Sequence, residues 1–126
     1  MFVSAGSRAT RKRRPKAPDL VGGTLNAGFS VTPYPLGTIS SGTTTLSAAN
    51  GNQQYATANG AFALVPQTSP SQIVLEFLNG ASAGSITTSG YTKVTGDAYA
   101  TTNAAKFLFI STKTQNYSHL NIVALQ

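Results

Sequence analysis

Residues 71–80 read SQIVLEFLNG, and this stretch decides the fold class. Strict alternation puts Ile73, Leu75 and Phe77 on one face of a strand and Val74, Glu76 and Leu78 on the other. Asn79-Gly80 follows as a turn signal. Working outward, the same pattern recurs at intervals of 8–12 residues, the spacing of short strands in a sandwich or barrel. Upstream lie residues 43–47 (TTTLS), 53–57 (QQYAT) and 61–65 (AFALV), separated by Asn50-Gly51 and Asn59-Gly60. Each of those pairs predicts a type I′ hairpin. Downstream lie a Thr-rich pair at 85–89 and 91–95 around Gly90, then 106–112 (KFLFIST) and 118–125 (SHLNIVAL), a hairpin across 114–117. No segment reads as a helix, because the Ala-rich residues 103–106 are too few to nucleate one. The expectation is an all-β chain: a small antiparallel β-sandwich, jelly-roll-like, of about eight strands.

The strands at 73–78 and 107–110 are apolar on both faces. A sheet with one face in water should alternate with polar residues. A domain of about 90 residues buries only about two-thirds of its unfolded surface. The second face is therefore either the covered outer face of a central sandwich strand or, the favoured reading, a subunit interface with Val74, Leu78, Leu108 and Ile110 as its candidate residues.

Charge divides the chain. Arg8, Arg11, Lys12, Arg13, Arg14 and Lys16 precede residue 17, whereas Lys93, Lys106 and Lys113 balance Asp19, Glu76 and Asp97. The net charge of +6 thus belongs to the N-terminal segment. Three parts follow: a basic arm at 1–18, an extended Gly- and Pro-punctuated linker at 19–35 with an edge strand expected around 25–31, and the β domain at 36–126. The six cations are the candidate docking residues, suited to an acidic protein surface or to nucleic acid. RKRRPK also fits the loose pattern of a nuclear localisation signal. Charged residues make up only 10% of the chain, a surface suited to being covered or repeated.

Chemistry is sparse. There is no Cys, so no disulfide framework, thiolate nucleophile or Cys-based metal site is available. No apolar run approaches the roughly 20 residues of a membrane span, and no apolar segment follows the basic cluster as in a secretory signal. Glu76 reads as an outward or interface residue, Asp97 as a turn residue after Gly96, and the single His119 has no acid near it in sequence. No nucleotide-binding glycine pattern, zinc spacing or calcium loop occurs. Neither a catalytic residue, nor a metal ligand, nor a cofactor is expected, and the chain is read as non-enzymatic. Tyr34, Tyr55, Tyr91, Tyr99 and Tyr117 could offer stacking surfaces for sugars or bases, or be ordinary strand and turn residues.

From Leu36 to Gln126 the chain resembles a β module of virion proteins of tailed bacteriophages, both head-decoration and tail-fibre types. The residues that carry this are LGTISSGTTTLSAANGNQQYATANGAFALV, NGASAGSITTSGYTKVTGD, KFLFIST and SHLNIVALQ. The chain lacks the Trp residues and the long fibre-forming region of the tail-fibre versions. The resemblance implies a structural, homo-oligomeric and often trimeric module with no catalytic residues, located on the virion, with the capsid surface favoured over the tail. The leading expectation is a capsid decoration or cement subunit whose arm docks on the major capsid protein or another virion protein. Two alternatives stand beside it: a tail-fibre or spike module binding host glycans, and a small coat protein whose arm binds genomic nucleic acid.

Overall fold

The computed structural model of the chain describes residues 27–28 and 30–126. The basic arm and most of the linker lie outside the described residues. Among the described residues nine strands form: β1 (Tyr34–Ile39), β2 (Thr43–Thr45), β3 (Gln53–Ala58), β4 (Phe62–Val65), β5 (Ser71–Asn79), β6 (Ile86–Thr87), β7 (Lys93–Gly96), β8 (Lys106–Lys113) and β9 (Ser118–Ala124). A 3-10 turn, Ala48–Asn50, is capped by the Ser47 hydroxyl, which accepts from the Ala49 N–H at 3.2 Å. The larger sheet has the order β1-β3-β5-β8-β9-β7, and the smaller one β2-β4-β6. The all-β class and the two-sheet arrangement agree with the sequence reading.

The pairing differs from an antiparallel jelly roll. Among the described residues five strand pairs are parallel (β1–β3, β2–β4, β3–β5, β4–β6 and β7–β9), and only β5–β8 and β8–β9 are antiparallel. The chain alternates between the sheets, so that β1, β3 and β5 stack in one and β2, β4 and β6 in the other. Tyr34, Gln54 and Leu75 stand in register, and so one circuit takes 20 residues and the next 21. Residues 34–87 therefore form a short parallel coil. The β8–β9 hairpin extends its larger sheet, and β7 closes the far edge.

The Asn-Gly pairs explain the difference. A type I′ turn needs positive φ at both central residues. Among the described non-glycine residues only Ala104 has positive φ, so neither Asn50, Asn59 nor Asn79 forms such a turn. Asn59-Gly60 and Asn79-Gly80 instead carry the chain from one sheet across to the other. Their corners stack: the Asn59 N–H donates to Ile39 O at 2.9 Å, and the Gly80 N–H to Ala58 O at 2.7 Å. The Asn59 side chain accepts from the Ser82 N–H at 2.9 Å, tying one circuit to the next. The stack is close enough that a Cβ on Gly60 would lie 2.1 Å from the Ser40 carbonyl oxygen.

Strand limits from sequence hold within a few residues, except at the start. β1 begins at Tyr34, inside the stretch read as linker. It tolerates Pro35 because it is an edge strand. Its register shifts between Pro35 and Gly37. The edge strand expected around 25–31 lies partly outside the described residues, and Ala27, Gly28, Ser30 and Val31 are in no strand.

Alternation fills the space between the sheets. Ile73, Leu75, Phe77, Phe109 and Leu120 are fully buried, with Ala56, Ala58, Phe62, Leu64, Phe107 and Ile122 around them. Phe62 of the smaller sheet meets Phe77 of the larger at 5.8 Å between ring centroids, and Phe77 meets Phe109 edge-on at 5.0 Å. Burying each such ring contributes about 2–3 kcal/mol. The smaller sheet does not cover β8 alone. Tyr99, from the connection after β7, packs on Phe107 at 4.9 Å and Phe109 at 5.9 Å.

Candidate functional site

The outward residues of the larger sheet form the surface on which the candidate interface residues meet. Alternation buries one face of β5 and β8 and presents Val74, Glu76 and Leu78, then Lys106, Leu108 and Ile110, on the other. Register places Val74 directly opposite Ile110, Glu76 opposite Leu108 and Leu78 opposite Lys106. On β9, Val123 stands opposite Leu108 and extends the apolar row. Val74, Leu108, Ile110 and Val123 are half-buried, and Leu78 is 41% exposed. All four candidates thus share one face, on the two middle strands of the sheet. Val123 and Tyr55 complete the patch, and the alternation of SHLNIVAL and QQYAT already carries the signal for both.

Beside this row lies a concavity of about 340 Å³ lined by Tyr55, Ala56, Thr57, Glu76, Leu78 and Lys106. Tyr55 is 45% exposed and contributes a ring wall. The concavity holds one carboxylate and one ammonium. Among the described residues no second acid and no histidine lines it to make a proton-transfer pair. Asp97 is at the end of β7, three strand spacings from β5, or about 14 Å across the sheet. The two carboxylates are not brought together. Asp97 is also more than a turn residue: its Oδ2 accepts from the Ala124 N–H at 2.8 Å, and its own N–H donates to Ile122 O at 2.7 Å. It fastens β7 to the end of β9.

His119 is on the outer face of β9 and is half-buried. Its Nε2 lies 2.7 Å from Thr95 Oγ1, and Thr95 Oγ1 donates to Asn121 Oδ1 at 2.9 Å. The hydroxyl has one proton, and Asn121 receives it. His119 Nε2 is therefore the donor to Thr95, which leaves the threonine oxygen without a base to activate it. The cluster clamps the parallel pair β7–β9. No group of three or more His, Cys, Asp or Glu residues that could hold a metal occurs among the described residues.

The tyrosines do not form one platform. Tyr34, Tyr55 and Tyr117 are exposed, whereas Tyr91 is buried and Tyr99 partly so. The Tyr91 hydroxyl lies 2.8 Å from Ser111 Oγ. Ser111 donates to Gln67 Oε1 at 2.8 Å, so Tyr91 donates to Ser111. Gln67 Nε2 in turn donates to the carbonyls of Ser71 at 3.1 Å and Ser111 at 3.0 Å. This buried chain of bonds joins two loops to β8. Burial pushes the Tyr91 phenol up to about 12, only partly opposed by its bond to Ser111. Burial also raises Tyr99, whose hydroxyl donates to Asn79 Oδ1 at 2.7 Å, a bond that acts in the opposite direction. Asn79 spends its own amide on the carbonyls of Ala100 at 2.8 Å and Thr102 at 2.9 Å. Both tyrosines serve the core.

Arg8, Arg11, Lys12, Arg13, Arg14 and Lys16, the candidate docking residues, lie outside the described residues. No helix among the described residues is long and apolar enough to cross a membrane. The chain matches no family model, no curated protein and no solved structure.

Proposed function

We propose that the chain is a structural subunit of a virion, a decoration or cement protein on the capsid surface. Its β domain supplies a folded body, and Arg8, Arg11, Lys12, Arg13, Arg14 and Lys16 attach that body to acidic surfaces of neighbouring capsid subunits. The observation that carries this reading is the segregation of charge. Six cations lie within the first 16 residues, and three cations balance three anions in the rest. A cationic arm makes charge-assisted hydrogen bonds to carboxylates, and a repeating lattice multiplies them through avidity. The resemblance to phage virion modules supports the same reading.

The test is co-sedimentation of the full chain with empty capsids of the parent particle. Binding is expected for the full chain and is expected to be lost on deletion of residues 1–18. Retention of binding after the deletion overturns the role of the arm. Binding of the full chain to nonspecific nucleic acid, with a logarithmic salt slope of about −4 to −5, is what six phosphate contacts give. That result, without capsid binding, favours the coat-protein reading instead.

A further inference from the structure

We propose that the outer face of the larger sheet docks a second copy of this chain, across a two-fold axis that sets Glu76 against the partner's Lys106. The apolar side chains lie on the middle of the sheet: Val74 opposite Ile110, Leu108 opposite Val123, and Leu78 beside them. A sheet face of this kind packs stably against another sheet face.

The charges select what covers it. Glu76 and Lys106 sit on the neighbouring strands β5 and β8, but neither is in register with the other. Each stands opposite a leucine: Glu76 faces Leu108, and Lys106 faces Leu78. One acid and one base, displaced from each other within an apolar field, are self-complementary. A two-fold rotation about an axis lying in the face, midway between them, brings each charge onto the opposite charge of the second copy. The apolar field then contains two ion pairs, the property of an isologous interface, and Lys93, opposite His119 on the edge strand β7, lies outside it in the polar rim. The rim is polar, with Gln72, Thr112 and His119 in one row across β5, β8 and β9. The concavity beside Tyr55 gives the second copy room for a protruding side chain.

The sheet edges are less suited to association. The edge of β1 is interrupted by Pro35 and a register shift, and β7 has four residues and starts with Lys93. Such features blunt edge-to-edge pairing. The face therefore carries the contact, and it pairs copies by twos, in place of the trimer that the resemblance implies.

The test is sedimentation equilibrium of the full chain across micromolar concentrations. A species of twice the 13.0 kDa chain mass is expected. Glu76→Lys and Lys106→Glu are each expected to weaken the dimer by tenfold or more (an order-of-magnitude figure, about 1.4 kcal/mol). The double exchange E76K/K106E is expected to restore it. Both residues are exposed, and unchanged thermal melts verify that the variants fold. Zero-length carbodiimide coupling of the unaltered chain provides a second readout, an amide between Glu76 and Lys106 in the dimer band. A monomer at every concentration, a trimer, or a double exchange that stays as weak as the single variants overturns the proposal. Capsid binding through the arm is read separately, and either result can fail without the other.

Discussion

Replacing Tyr91 by Phe should produce two stability curves that cross as pH rises. Tyr91 is 7% exposed and donates its proton to Ser111. At neutral pH the substitution removes that hydrogen bond and should destabilise the chain by about 1 kcal/mol. The phenol ionises near 10 in an unfolded chain, but burial raises it to about 12 in the folded one. The folded chain thus holds this proton more tightly than the unfolded one does. The associated stability is complete below pH 10 and is lost as pH climbs towards 12. The linkage relation gives a loss of about 1.4 kcal/mol at pH 11 and about 2.3 kcal/mol at pH 12 for the unaltered chain alone. Urea denaturation at intervals from pH 8 to 12 measures both proteins. Every other side chain is the same in both proteins, so the difference isolates Tyr91. The unaltered chain should be the more stable at pH 8, the two should be nearly equal close to pH 11, and the variant should lead at pH 12. A gap that stays constant over this range would refute the burial of the phenol and its bond to Ser111.

Two further substitutions test the coil and the buried network. Gly60→Ala places a Cβ against the Ser40 carbonyl, which cannot move without breaking the stacked corners; a loss of about 3 kcal/mol or more is expected in the same urea assay. A variant as stable as the parent would show that the corners are not stacked. Ser111→Ala strands both the Tyr91 hydroxyl and Gln67 Oε1 and should cost about 2–4 kcal/mol. Combining it with Tyr91→Phe should cost less than the sum of the two, and strict additivity would rule out a shared network.

Much of the fold was legible because alternation is a local signal. Ile73, Leu75 and Phe77 pointed inward as their spacing required, and Val74 and Leu78 pointed outward. Partner choice was not legible. Strand alternation is the same in parallel and antiparallel sheets, and an Asn-Gly pair suits a corner between sheets as well as a hairpin within one. What distinguishes them is the match between residues some 20 positions apart, such as Tyr34, Gln54 and Leu75, and no short window contains it. Pro35 misled for a related reason. Proline argues against a central strand but not against an edge, and edge position is a property of the sheet. The candidate interface was half legible. Its apolar members followed from two strands with no polar face, whereas the charge pair emerged only when β5 and β8 were in register.

The direction of β1 has a mechanical consequence. β1 is parallel to β3 and β3 to β5, while β8 reverses and β9 reverses again, so the first and last strands of the sheet in sequence point the same way. The chain enters β1 at one end of the sheet and leaves β9 towards the other. Tension applied at the two chain ends therefore runs along the strands and loads the β1–β3 bonds together, in shear, instead of peeling them one at a time. A domain strung this way yields to pulling between its two ends only when several of those bonds break at once.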